Sequence, residues 1–124
     1  MTRQSLLALA LGTALIVPGA ATASVAQTPA DASKDIPCLA IGLLIASEDS
    51  AEAKSNGSMF ALYFFSRARS TLSEVEVQQA IAQEVARMKA DPERIPTEAQ
   101  RCSAELAVVG EELSRIGSRL NPSE

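Results

Sequence analysis

Two cysteines, Cys38 and Cys102, constrain this chain more than any other feature, because they are its only thiols and lie downstream of an export signal. Met1-Thr2-Arg3-Gln4-Ser5 carries one positive charge, residues 6–17 form an apolar run rich in Leu and Ala, and Pro18-Gly19 breaks it. Small residues follow, which completes the three-part layout of a secretory signal peptide. The run is shorter than the roughly 20 apolar residues of a membrane-spanning helix. Cleavage after Ala23 or after Ala26 fits a small-x-small rule, and the second is preferred. No Leu-x-x-Cys lipobox precedes Cys38, so no lipid anchor is expected. The chain is expected to be periplasmic or secreted, with no membrane span after signal cleavage.

In an oxidising compartment two cysteines read as one disulfide. No Cys-x-x-Cys is present, which argues against a redox site. Two thiols without an imidazole are too few ligands for a metal. The bridge would close a loop of more than sixty residues. Chain-entropy arguments give such a cross-link roughly 4 kcal/mol.

The domain plan follows: residues 1–26 are signal peptide, 27–34 a small polar flexible leader, and 35–121 a helical domain. Hydrophobic residues make up 47% and charged residues 21%, a composition that folds. No strand pattern of useful length occurs, and apolar spacing is helical throughout. The fold class is therefore all-α, a compact bundle of about four helices with a short first one.

The first helix is expected over about 36–47, capped by Asp35 with Pro37 in its first turn. It is apolar almost all round, so it should lie at the centre. The second is expected over 51–69, with Asp49 and Glu52 placed like a capping box. Asn56-Gly57 is a turn-prone pair that interrupts its polar first half. Asn56-Gly57-Ser58 also matches a glycosylation sequon. The third begins at Ser73, with Glu76 completing a capping box and Leu72 stapled to Val77. Its buried face is Val77, Ile81, Val85 and Met88, with Ala80 alongside, and Asp91-Pro92 ends it.

The fourth helix is expected over about 98–120, with Thr97 and Gln100 as a second capping box. Cys102, Leu106, Val109, Leu113, Ile116 and Leu120 alternate steps of four and three, a heptad seam. Ser103, Gly110 and Gly117 flank that seam and form a candidate helix-packing edge. Glycine costs roughly 1 kcal/mol against alanine inside a helix, so the two suggest a packing reason and a possible homodimer.

Both cysteines would sit near the starts of their helices. In an up-down-up-down bundle those starts lie at opposite ends of helices about 25 Å long. A disulfide tolerates only about 4.4–6.8 Å between Cα atoms. The first helix is therefore expected to cross obliquely or to run roughly parallel to the fourth.

Catalysis finds little support. The chain has no His, which removes Ser/His and Cys/His nucleophiles. No phosphate-cradling glycine loop occurs. Paired acids such as Glu111-Glu112 fall on solvated faces or helix ends. No cofactor and no metal are expected. With 11 Lys+Arg against 15 Asp+Glu the net charge is −4, unsuited to phosphate neutralisation, so no nucleic-acid partner is expected.

The most unusual local feature is the aromatic block. Phe60, Tyr63, Phe64 and Phe65 are all the aromatic residues of the chain. One reading makes them the hub of a small core. The other makes them an apolar cleft or partner surface with Tyr63, Arg67 and Arg69 at its rim. Phe60, Tyr63, Phe65, Arg67 and Arg69 are the candidate partner-binding residues.

Cys38-Leu39, the block Leu62-Tyr63-Phe64-Phe65-Ser66-Arg67, and the run Cys102-Ser103-Ala104-Glu105-Leu106 through Gly110 to Ile116-Gly117 carry a resemblance. The chain resembles small secreted all-helical proteins of alphaproteobacteria with one Cys pair, a group without an assigned activity. That resemblance implies a periplasmic location. Thr97, five residues before Cys102, gives a weaker likeness to acid-stress periplasmic chaperones, from which the longer span between the cysteines departs. The leading expectation is a non-enzymatic protein that binds a protein partner. The alternative is an acid- or stress-responsive holdase.

Overall fold

A computed structural model describes residues 30–121. The expected signal peptide lies outside the described residues. Four helices follow in order: α1 (Ala32–Ala46), α2 (Ala51–Arg69), α3 (Glu74–Ala90) and α4 (Arg94–Leu120). The described residues form an all-helical bundle of four helices with one disulfide, Cys38–Cys102, whose Cα atoms are 5.6 Å apart.

α1 is the central element, as its all-round apolar character requires. Every residue from Asp35 to Gly42 is buried. α1 starts earlier than its pattern suggested, because Asp31 rather than Asp35 is the N-cap and accepts from the Ser33 N–H at 3.0 Å. Ala32, Ser33 and Lys34 are thus the first turn of α1 and not part of a flexible leader.

α2 spans the expected residues, but its cap is Ser50, which accepts from the Ala53 N–H at 3.0 Å. Asn56-Gly57 forms no turn. Gly57 lies within α2 on a buried stripe with Ala61, Phe64 and Ala68. A Cβ on Gly57 would collide with the Ala46 backbone and come within 2.8 Å of the Gly42 carbonyl oxygen. One on Gly42 would come within 2.7 Å of the Ala61 nitrogen. The two helices therefore touch backbone to backbone, and glycine is required for close approach rather than for a turn.

α3 opens with the expected capping box. Ser73 Oγ accepts from the Glu76 N–H, and the Glu76 carboxylate accepts from the Ser73 N–H at 2.7 Å. Val77 and Met88 are buried, Ile81, Val85 and Ala80 are half-buried against the core, and Glu84 is buried among them.

α4 begins at Arg94, and no side chain caps it. The Thr97–Gln100 box does not form, because Thr97 already lies inside the helix. Pro96 is accommodated in the first turn, where its missing N–H has no intrahelical partner to lose. Cys102 is the single fully buried residue of α4, with Ile95, Ala99 and Leu106 half-buried beside it. Both cysteines consequently sit further into their helices than expected, Cys38 near the middle of α1 and Cys102 a third of the way along α4.

Gly57→Ala tests the backbone contact. Overpacking costs about 2–3 kcal/mol where the obstacle is backbone that cannot rotate aside, the upper part of the usual range, and the helix-propensity gain returns only about 1 kcal/mol. The expected outcome is a net loss of about 1–2 kcal/mol in urea unfolding. An unchanged or raised midpoint would show that α1 and α2 do not meet there.

Candidate functional site

The buried stripe of α2 divides its surface into two flanks, and the aromatic block contributes to both. On one flank Leu62 and Phe65 face Leu39 and Leu43 of α1, with Ile81 of α3 behind. Together with Ala46, Ser58 and Ala61 they line an open cleft of about 360 Å³. Among the described residues no titratable side chain lines it. Leu43, Leu62 and Phe65 stand exposed at its walls, and Met59, 71% exposed, lies beside them. The cleft can accept apolar side chains.

The cleft exists because small residues bring α1 and α2 together at Gly42, Gly57 and Ala61. The larger residues next to the crossing cannot enter it and stand at its edge. Leu43 and Leu44 continue the apolar character of α1 past the point where other helices cover it.

On the other flank, Tyr63 and Arg67 form a polar network. Arg67 Nε donates to Asp35 Oδ1 at 2.9 Å, and Arg67 Nη2 lies 3.4 Å from Glu105 Oε1. The Tyr63 hydroxyl is 3.5 Å from the same Glu105 oxygen, and the Arg67 guanidinium lies 5.7 Å from the Tyr63 ring centroid. The network joins α1, α2 and α4. Asp35 is 1% exposed and its Oδ2 accepts from the Asp31 N–H at 3.0 Å.

Burial alone would pull the Arg67 guanidinium down. The hydrogen bond to Asp35, the Asp35 charge and the Glu105 charge outweigh it and hold Arg67 above its ordinary value. Burial pushes the Tyr63 phenol up and the acids add to that, while Arg67 opposes them.

Of the expected partner-binding residues, Phe65 lines the cleft. Phe60 is half-buried and packs on Phe64 with centroids 5.3 Å apart, and Tyr63 meets Phe64 edge-on at 4.9 Å. Phe64 is fully buried, so the block is a core hub as well as a cleft wall. Tyr63 and Arg67 are not at the cleft rim, because the buried Asp35 draws Arg67 to the opposite flank. Arg69 donates to the Leu72 carbonyl at 2.9 Å and ties the α2–α3 turn. The edge Ser103, Gly110 and Gly117 is exposed. A Cβ added to either glycine would meet nothing within 4 Å, so no described helix of this chain packs there.

The cleft residues Leu43, Ala46, Ser58 and Ile81 were not legible as a group, since three helices contribute them. Leu62 inside the aromatic block was the available signal. Among the described residues no helix is long and apolar enough to cross a membrane. Among them too, no group of three His, Cys, Asp or Glu is placed to hold a metal ion. No family model, curated protein or solved structure matches the chain.

The Asp35–Arg67 pair has a measurable signature. Asp35→Leu removes the carboxylate from beside a largely buried guanidinium and should cost about 3 kcal/mol, with Arg67→Met as the other single variant. Asp35→Leu combined with Arg67→Met removes both charges and should cost clearly less. Chemical unfolding of the double-mutant cycle checks this. Additive losses would contradict the pairing.

Proposed function

We propose that this is a non-enzymatic periplasmic protein that binds a protein partner through the α1–α2 cleft. On this reading it sits with the small secreted helical proteins of alphaproteobacteria that its sequence resembles. The carrying observation is an apolar cleft whose walls, Leu43, Leu62 and Phe65, are exposed and carry no titratable group. Exposed apolar surface collected in a concave site suits a partner's apolar side chains. A disulfide between Cys38 and Cys102 suits an oxidising compartment. Replacing Leu62 with a photo-crosslinking amino acid in the exporting cell is expected to yield a discrete adduct. The adduct should disappear with Leu43→Glu and be absent when the probe replaces Lys89. No adduct at position 62, or the same adducts at both positions, would contradict the reading.

A second reading, an acid-responsive holdase, draws on the carboxylates that hold the fold. Asp35 and Glu84 are both buried in ion pairs, Glu84 with Arg87 at 2.9 Å and Arg94 at 3.7 Å. Hydrogen bonds from the Ser33 side chain and backbone hold the Asp31 carboxyl below its ordinary value, and those from Ser73 do the same for Glu76. Their cap stability is fully present above the unfolded values near 4 and is lost as pH falls through the lower folded ones. Acid thus loosens the starts of α1 and α3 and uncovers the aromatic block. Light scattering of an acid-labile client near pH 3 should fall when the protein is added. Equal scattering with and without it rejects the holdase.

A further inference from the structure

The last turns of α4 present an apolar face that no other described helix covers. Leu113 is 63% exposed, Ile116 46% and Leu120 81%. These residues continue the heptad seam that begins at Cys102, and the last seam residue packed against the core is Leu106. Its two flanks differ. Ser103, Gly110 and Gly117 line one, while Glu105, Glu112 and Arg119 line the other.

We propose that this face is closed by the same face of a second copy of the chain, with the two α4 helices antiparallel. The charge pattern selects both the occupant and the direction. In an antiparallel pair, like flanks face each other. Setting Leu113 against Ile116 of the partner subunit places Val109 against Leu120 of the partner subunit. Glu112 then meets Arg119 of the partner subunit, and the two-fold axis repeats that contact, so each helix supplies the acid of one ion pair and the base of the other. A parallel pair would instead set each charged flank against the glycine flank, with Glu112 opposite Gly117 of the partner subunit and no charge matched.

The remaining acid of that flank fits the same scheme. Glu105 is engaged within the chain by Arg67 and Tyr63, and it lies where the seam is still covered by the bundle. The charged pair left for the interface is therefore Glu112 and Arg119, of opposite sign and beyond Glu105 along the seam, Glu112 half-buried and Arg119 exposed. The glycine flank, with nothing within 4 Å, lets the two backbones approach on that side without side chains to displace. The seam is short, so the dimer should be a weak one.

Sedimentation velocity of the purified, oxidised, exported chain tests this over a concentration series reaching about 300 µM, a range that covers weak association. A reversible monomer–dimer equilibrium is expected. Leu113→Glu should abolish it while leaving the circular dichroism and the disulfide unchanged, since Leu113 lies outside the core. Glu112→Arg alone places two like charges at each contact and should weaken association about tenfold. Adding Arg119→Glu restores opposite signs and should recover most of the loss. A monomer throughout the series overturns the proposal, including the case in which a different protein occupies the face. A dimer that ignores Leu113→Glu overturns it as well. A dimer weakened by the single reversal and not recovered by the swap overturns the antiparallel arrangement.

Discussion

The Cys38–Cys102 bond is the constraint on which the rest of the structure depends. It joins the most buried helix to the least buried one. α1 loses eight consecutive residues to the interior, whereas α4 buries only Cys102 completely. Around the bond, Arg101 Nη2 donates to the Lys34 carbonyl at 2.8 Å and to Cys38 Sγ at 3.3 Å, and Glu98 holds the same guanidinium. Ile95, Ala99 and Leu106 add half-buried contacts. These are modest attachments for a helix of 27 residues. A cross-link worth roughly 4 kcal/mol is a large share of the total stability of about 5–15 kcal/mol typical of a domain.

α2 organises the surfaces that remain. Its glycine and alanine stripe lets it lie against the α1 backbone, and that closeness has consequences on both flanks. Apolar side chains too large for the crossing stand beside it and form the cleft. On the other flank, Arg67 reaches across to Asp35 and Glu105, so a charge buried on α1 is matched by one from α2 and shared with α4. The Coulombic gain of such a buried pair is largely offset by the cost of taking both charges out of water. The pair fixes which flank is polar and leaves the apolar flank exposed.

Features that depend on local chemistry were legible in the sequence. The capping box at Ser73 and Glu76, the extent of α2 and the pairing of the only two cysteines all appeared in the structure. Features that depend on distant partners were not. Asp35 looks like a helix cap until Arg67, 32 residues away, is known to neutralise it, and the true cap is then Asp31. Asn56-Gly57 looks like a turn until the α1 backbone is placed against Gly57. Glu84, not among the apolar residues expected to be buried on α3, is buried where Arg87 and Arg94 pair with it. Thr97 reads as a cap because Gln100 follows three residues later, although the helix already runs through both. The seam of α4 was visible throughout, but its outer half has no partner among the described residues.

Hydrogen exchange before and after selective reduction tests the central role of the cross-link most directly. In the oxidised protein the amides around Cys102 should be protected with those of α1. On reduction, exchange should rise first and most along α4, while the α1–α2 contact retains protection. Protection of α4 that survives reduction unchanged would show that packing alone holds it, and the account built on that bond would fail.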